Sequence, residues 1–154
     1  MVAQLIRVRP CVERDLDGFG VFGTPHHVDY CRQEFERGED AATILVADDG
    51  GAPVGKLHLD FVTRRSHREA VLIAAVVVPE LRSRGIGTAL MAAAEELVSS
   101  RGYGAIVLGV EDSNPRARAL YERLGYDAFA TDDFKYVGAP VPNPGVWMRK
   151  ELEC

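Results

Sequence analysis

The chain has 154 residues, 47% hydrophobic and 27% charged, the proportions of one soluble globular domain over residues 1–154. Its formal net charge of -5 excludes a generally basic, nucleic-acid-gripping surface and tilts the expected partner toward a cation. The longest apolar run, Ala70 to Val78, is far short of the roughly 20 residues a membrane span needs, and "MVAQLIRVRP" lacks the apolar block of a secretory signal, so a cytoplasmic protein with no membrane partner is expected.

In chain order, the alternation over Gln4 to Arg9 predicts a first strand, and the amphipathic segments Val12 to Phe19 and Pro25 to Arg37 predict two helices. "GFGVFG" (Gly18 to Gly23) matches the dinucleotide fingerprint letter for letter, yet charged "VERDLD" precedes it where an apolar strand belongs; it is expected to be a mobile loop. Ala42 to Ala47 and Val54 to Val62 flank "DDGG" and predict a hairpin. The valine-rich run Ala70 to Val78 has no polar side chain, which suits a central strand covered on both faces, and Pro79 stops its ladder.

From Gly87 the period becomes helical, with Ile86, Leu90, Ala93, Ala94 and Leu97 on one face and Gly102 as the stop. Ala105 to Val110 is another strand. The next helix has Asn114 as N-cap, Pro115 at its first position, an inward face of Ala117, Leu120, Tyr121 and Leu124, and Gly125 as terminator. Tyr126 to Val137, broken near "TDD", and Val146 to Leu152 predict two last strands joined by "GAPVPNPG". Strands, then βαβα, then a hairpin give a mixed α/β (α+β) class with a partly antiparallel sheet. The scattered cysteines Cys11, Cys31 and Cys154 fit neither a disulfide framework nor a zinc site.

The junction "PELRSRGIGTAL" is built to hold an anion. The first N–H groups of a helix lack partners within it and carry partial positive charge, Gly85 and Gly87 leave the main chain open to close approach, and Arg82 and Arg84 add charge. The lysine of a P-loop and the third glycine of a dinucleotide fingerprint are both missing, so neither pattern identifies the anion.

Val76, Val78, Pro79, Arg82, Gly85, Gly87 and Leu90 resemble the acetyl-coenzyme A motif of the GCN5-related N-acetyltransferase (GNAT) superfamily, whose core is Arg/Gln-x-x-Gly-x-Gly/Ala. "NPRARALYERLGY" is similar to the superfamily's Asn-x-x-Ala-x-x-Leu-Tyr-x-x-x-Gly-Phe/Tyr at every fixed position. The resemblance spans Ala70 to Tyr126. It implies a mostly antiparallel splayed sheet of about seven strands with helices on both faces, and acetyl-coenzyme A as co-substrate. It also implies cofactor contacts from Val76, Val77, Val78, Arg82, Ser83, Arg84, Gly85, Ile86, Gly87, Thr88, Asn114, Arg116, Ala117 and Tyr121, with Val76 and Val78 bonding the pantetheine arm through their main chain.

Acetyl transfer to an amine needs an uncharged nitrogen, a donor for the developing oxyanion and a proton for the departing thiolate. An amine of pKa about 10.4 is neutral in about one molecule in a few thousand at pH 7, so a base or a desolvating pocket is required. A main-chain N–H near Val76 or Val77 is the implied oxyanion donor. Periodicity places Tyr121 in a packing stripe, whereas the resemblance makes it the general acid toward sulfur. Relatives often carry a glutamate where Val71 and Gly109 stand here; the base is therefore sought among Glu111, first, and then Glu69 and Asp112. The missing glutamate counts against the branch that acetylates ribosomal-protein N-termini, and it keeps open a non-catalytic acyl-coenzyme A binding or sensing module as the alternative.

The clustering of His26, His27 and Cys31 is read as chance, and no metal is expected. Phe22, Tyr30, Phe134, Tyr136 and Trp147 are candidate walls of the amine pocket, by analogy with the family. The expected acceptor is a small-molecule or peptide amine, and the expected state a monomer or homodimer.

Overall fold

The computed structural model describes residues 5–23, 25–134 and 141–153; Tyr136 and Cys154 lie outside them. Seven strands form one sheet: β1 Arg7–Pro10, β2 Ala42–Asp48, β3 Pro53–Asp60, β4 Glu69–Val77, β5 Ala105–Glu111, β6 Asp127–Phe134 and β7 Asn143–Glu151. Their spatial order is β1-β2-β3-β4-β5-β7-β6, and only β4 and β5 run parallel. The helices are α1 Pro25–Glu36, α2 Ile86–Ser100 and α3 Pro115–Arg123, with a 3₁₀ helix over Glu13–Phe22.

Strand β2 shows why helices cover both faces. Leu45 and Ala47 point one way, to the cluster that α2 fills with Ile86, Leu90, Met91, Ala94 and Val98. Ile44 and Val46 point the other way, against Leu16 and Phe19 of the 3₁₀ helix and Cys31 of α1. Each large apolar side chain so buried contributes about 1.5–3 kcal/mol. Tyr121 of α3 joins the α2 cluster.

The glycine-rich "GFGVFG" is not a mobile loop: its residues up to Phe22 continue the 3₁₀ helix. Leu16 and Phe19 stand three apart, one turn of such a helix, and both are fully buried. Arg9 ties this segment to the sheet, donating to Asp15 at 2.8 Å and to Asp48 at 2.6 Å. At the other end β6 passes through "TDD" unbroken, with Asp132 opposite Gly145; its irregularity falls between Ala128 and Ala130. Strand β7 begins at Asn143, earlier than the sequence pattern placed it, because Pro144 and Gly145 pair with β6.

Two departures from a regular ladder shape the centre of the sheet. Pairing of β4 with β5 runs from Glu69 opposite Ala105 to Leu72 opposite Leu108 and then ends, leaving a wedge between Ile73–Val77 and Gly109–Glu111. On its other edge β4 carries a bulge: Lys56 pairs with Val76 but His58 with Ile73, so Ala74 and Ala75 together oppose Leu57. Ala74 takes a left-handed φ of 55°.

Candidate active site

The bulge decides which peptide groups enter the wedge. Val78 donates its N–H to the Val54 carbonyl at 2.9 Å and accepts from Leu81 N–H at 3.0 Å, so both of its main-chain groups are already used. This corrects the expectation that Val78 bonds a pantetheine arm. Antiparallel ladders alternate, so Val76 also faces β3, which corrects the same expectation of its main chain, while Val77 faces away from β3. The Val77 carbonyl accordingly accepts from Arg82 Nε at 3.1 Å. The Val77 amide is thus the strand's donor toward the wedge.

The wedge leads to the head of α2. Gly85 adopts a φ of 84°, a conformation that favours glycine, and no side-chain hydrogen bond caps the helix. Its first amides therefore point outward unpaired. Gly87 meets no such backbone demand, since an added Cβ would stand 3.4 Å from the Leu120 side chain, an ordinary contact. Ser83, at a φ of 65°, accepts a short hydrogen bond from Arg116 Nη2 and so links the loop to α3.

A cavity of about 620 Å³ joins these parts. It is lined by Val76, Val77, Arg82, Ser83, Gly85, Ile86, Gly87, Thr88, Asn114, Arg116, Ala117 and Tyr121 from the sequence-derived set, and also by Ala75 and Leu57. Arg84, exposed, and Val78, half-buried, both stand outside the lining. Asn114 caps α3, its Oδ1 accepting from the Ala117 amide at 3.1 Å. Tyr121 is 8% exposed, its pKa raised by burial, so its phenol is a proton donor at neutral pH.

The carboxylates divide clearly. Glu69 sits at the far end of β4, held by Arg64 and Arg149 at 2.7 Å each, with its pKa lowered by those two partners against the opposing effect of burial. That removes it as a base. Glu111 closes β5 on the open side of the wedge, accepting from Asn143 Nδ2 at 3.3 Å and Ser113 Oγ at 3.2 Å, without lining the cavity. Asp112 donates its amide to the Pro144 carbonyl at 2.9 Å. The place of the missing glutamate is sterically closed: a Cβ on Gly109 would meet Phe134 Cε1 at 2.5 Å, and one on Gly145 would meet the same ring at 2.7 Å. Phe134 fills that place and packs edge-on against Trp147 at 5.3 Å.

The opposite side of β3 holds residues that the sequence reading passed over. Lys56 and His58 are both fully buried. Lys56 Nζ lies 3.0 Å from His58 Nε2, 3.3 Å from the Ala74 carbonyl, and 5.8 Å from the ring centres of Phe19 and Phe22. Burial lowers the lysine pKa to about 8 and the histidine's well below its usual value. Tyr30 stacks on His58 at 5.4 Å, and Cys31 Sγ approaches its Nε2 at 3.7 Å. In "GKLHLD" the polar residues alternate as on a solvent-facing strand; only the covering helices could reveal their burial. Among the described residues no group of three or more His, Cys, Asp or Glu is placed to hold a metal, and no helix is long and apolar enough to cross a membrane.

Comparison with known proteins agrees with this geometry. The chain is 33% identical over 88 residues to the uncharacterized N-acetyltransferase YhfO of Bacillus subtilis, a match covering 56% of this chain and 59% of that protein. The chain spans less than two thirds of the length of the curated relatives it matches. In fold it is similar to the ribosomal-protein-S18-alanine N-acetyltransferase of Escherichia coli, with a TM-score of 0.80 at 20% identity over 97% of this chain and 96% of that one. A spermidine N-acetyltransferase chimera from Vibrio cholerae gives 0.78 at 19% identity over the same shares. Residues 11–126 match the model of the acetyltransferase (GNAT) family, and the splayed sheet with its glycine-led helix is the arrangement its motifs require: the chain belongs to that family.

Proposed function

We propose that this protein transfers an acetyl group from acetyl-coenzyme A to a primary amine, on a small molecule or a peptide, by direct attack within a ternary complex. One observation carries the reading: the inward-facing Val77 amide, the uncapped head of α2 and the Tyr121 side chain all border one cavity. The uncapped amides, with Arg82 and Arg116 beside them, suit a diphosphate. Acetyl-coenzyme A supplies the activated thioester. In transfer, the amine lone pair forms the new C–N bond at the carbonyl carbon, and the Val77 amide donates to the oxygen as it becomes negative. Collapse breaks the C–S bond, and Tyr121 gives its proton to the departing sulfur. The proton lost by nitrogen passes to Glu111, directly or through water, where Asn143 and Ser113 orient the carboxylate.

The Phe134 ring over Gly109 favours a second reading, a module that binds acyl-coenzyme A without turnover, because it takes the space a base would occupy. Two measurements separate the readings. Calorimetry with coenzyme A tests the cleft, and thiol release from acetyl-coenzyme A with spermidine, tyramine and an alanine-initiated peptide tests transfer. Binding without thiol release leaves the module; absence of binding removes both.

A further inference from the structure

Lys56 is a full-length cation in the interior, yet no carboxylate partners it among the described residues. Its surroundings are Phe19 and Phe22 from the 3₁₀ helix, Cys11 after β1, Cys31 and His27 from α1, His58 on its own strand, and the Ala74 carbonyl of β4. Because Lys56 donates to His58 Nε2, the imidazole proton sits on Nδ1, which has no partner among the described residues. A buried charge without a counterion and a buried N–H without an acceptor both oppose folding. The same nitrogen contacts the one residue of β4 whose backbone is strained, Ala74 at φ 55°.

We propose that Lys56 is a positioning residue for the acyl transfer: by donating to the Ala74 carbonyl it holds the bulge of β4 that turns the Val77 amide away from β3 and into the wedge. Register makes the consequence concrete. Without the extra residue the ladder would bring Val77, in place of Val78, opposite Val54, where its N–H would be taken up by β3. The bulge frees that amide, and the left-handed Ala74 is the residue on which it turns. Full burial keeps Lys56 and His58 from exchanging protons with an acceptor, which distinguishes this role from that of a base.

This inference rests on the acyl-transfer reading for its kinetic consequence, while its structural half stands apart from turnover. Lys56→Met keeps the bulk and removes the donor. Amide hydrogen exchange of the unliganded protein should then accelerate at Val76 and Val78, whose amides face β3 only in the register the bulge sets, and Ala74→Gly, which adopts the left-handed backbone freely, should restore protection in the double variant. In thiol release with whichever of the three amines is turned over, Lys56→Met should lower kcat by about tenfold to a hundredfold with little change in KM for acetyl-coenzyme A, and the double variant should recover most of the loss. Melting by circular dichroism checks folding, with Lys56→Met expected at or above the wild-type midpoint.

Unchanged exchange at Val76 and Val78 overturns the proposal whether or not any amine is turned over. So does a lowered kcat that Ala74→Gly fails to rescue, or acetylated Lys56 in the peptide mass spectrum. A wild-type protein that binds coenzyme A without releasing thiol removes the transfer reading alone and leaves the exchange experiment to decide the bulge.

Discussion

The two faces of the sheet are built on different terms. Beneath α2 the interior is apolar and closely packed, with Leu57, Leu59, Leu72, Leu90 and Met91 among its members, and the cleft takes its polar contacts from main-chain amides and from α3. Beneath α1 and the 3₁₀ helix, Lys56 and His58 are sealed in among Phe19, Phe22 and Tyr30. One face buries apolar side chains without a charge among those named. The other accepts a buried cation at the point where β4 bends, and stability given up beside a strained backbone is a mark of function.

Four measurements sharpen or break this contrast. The largest effect should come from the cleft: Tyr121→Phe should reduce kcat by about 10²–10⁴-fold while leaving coenzyme A affinity in calorimetry unchanged, and retained turnover would remove the acid role. Next is the apolar face, where Leu90→Ala, at a residue 2% exposed, should destabilise the protein by about 2–5 kcal/mol in urea unfolding.

The α1 face should behave oppositely, Lys56→Met being neutral or stabilising by up to about 3 kcal/mol near neutral pH. The sign follows from linkage. Folding lowers the Lys56 pKa from 10.5 to about 8, so between those values the unfolded chain holds more protons and wild-type stability gains with rising pH. The penalty is complete below pH 8 and gone above 10.5, and the difference between wild type and Lys56→Met should shrink across that window in paired unfolding curves. A constant difference would show that Lys56 is not buried as a base. The smallest effect is at the α3 cap, where Asn114→Ala should cost about 1 kcal/mol of stability in the same assay.

The head of α2 and the ends of α3 were legible because their signals are local. Gly85, Gly87 and Arg82 lie within a few residues of one another, and Asn114, Pro115 and Gly125 mark the ends of α3 as their chemistry dictates. Val78 was misjudged because a bulge shifts the ladder by one residue, and nothing in the run of alanines and valines marks where the extra residue enters. Glu69 stood behind Glu111 among the candidate bases, but its two ion pairs, with Arg64 nearby in the chain and Arg149 distant in it, were not legible. Gly109 explained itself only once Phe134 was seen above it.

By itself the sequence determined the alternation of strands and helices, the uncapped head of α2 and the family to which these motifs belong, since each depends on residues close together in the chain. Tertiary structure decided which amide faces the wedge, which carboxylate is locked in ion pairs and that Lys56 is interior. Each of these depends on what a neighbouring strand or a covering helix brings to the same place, and hydrophobic periodicity records a residue's own polarity without recording what is laid over it.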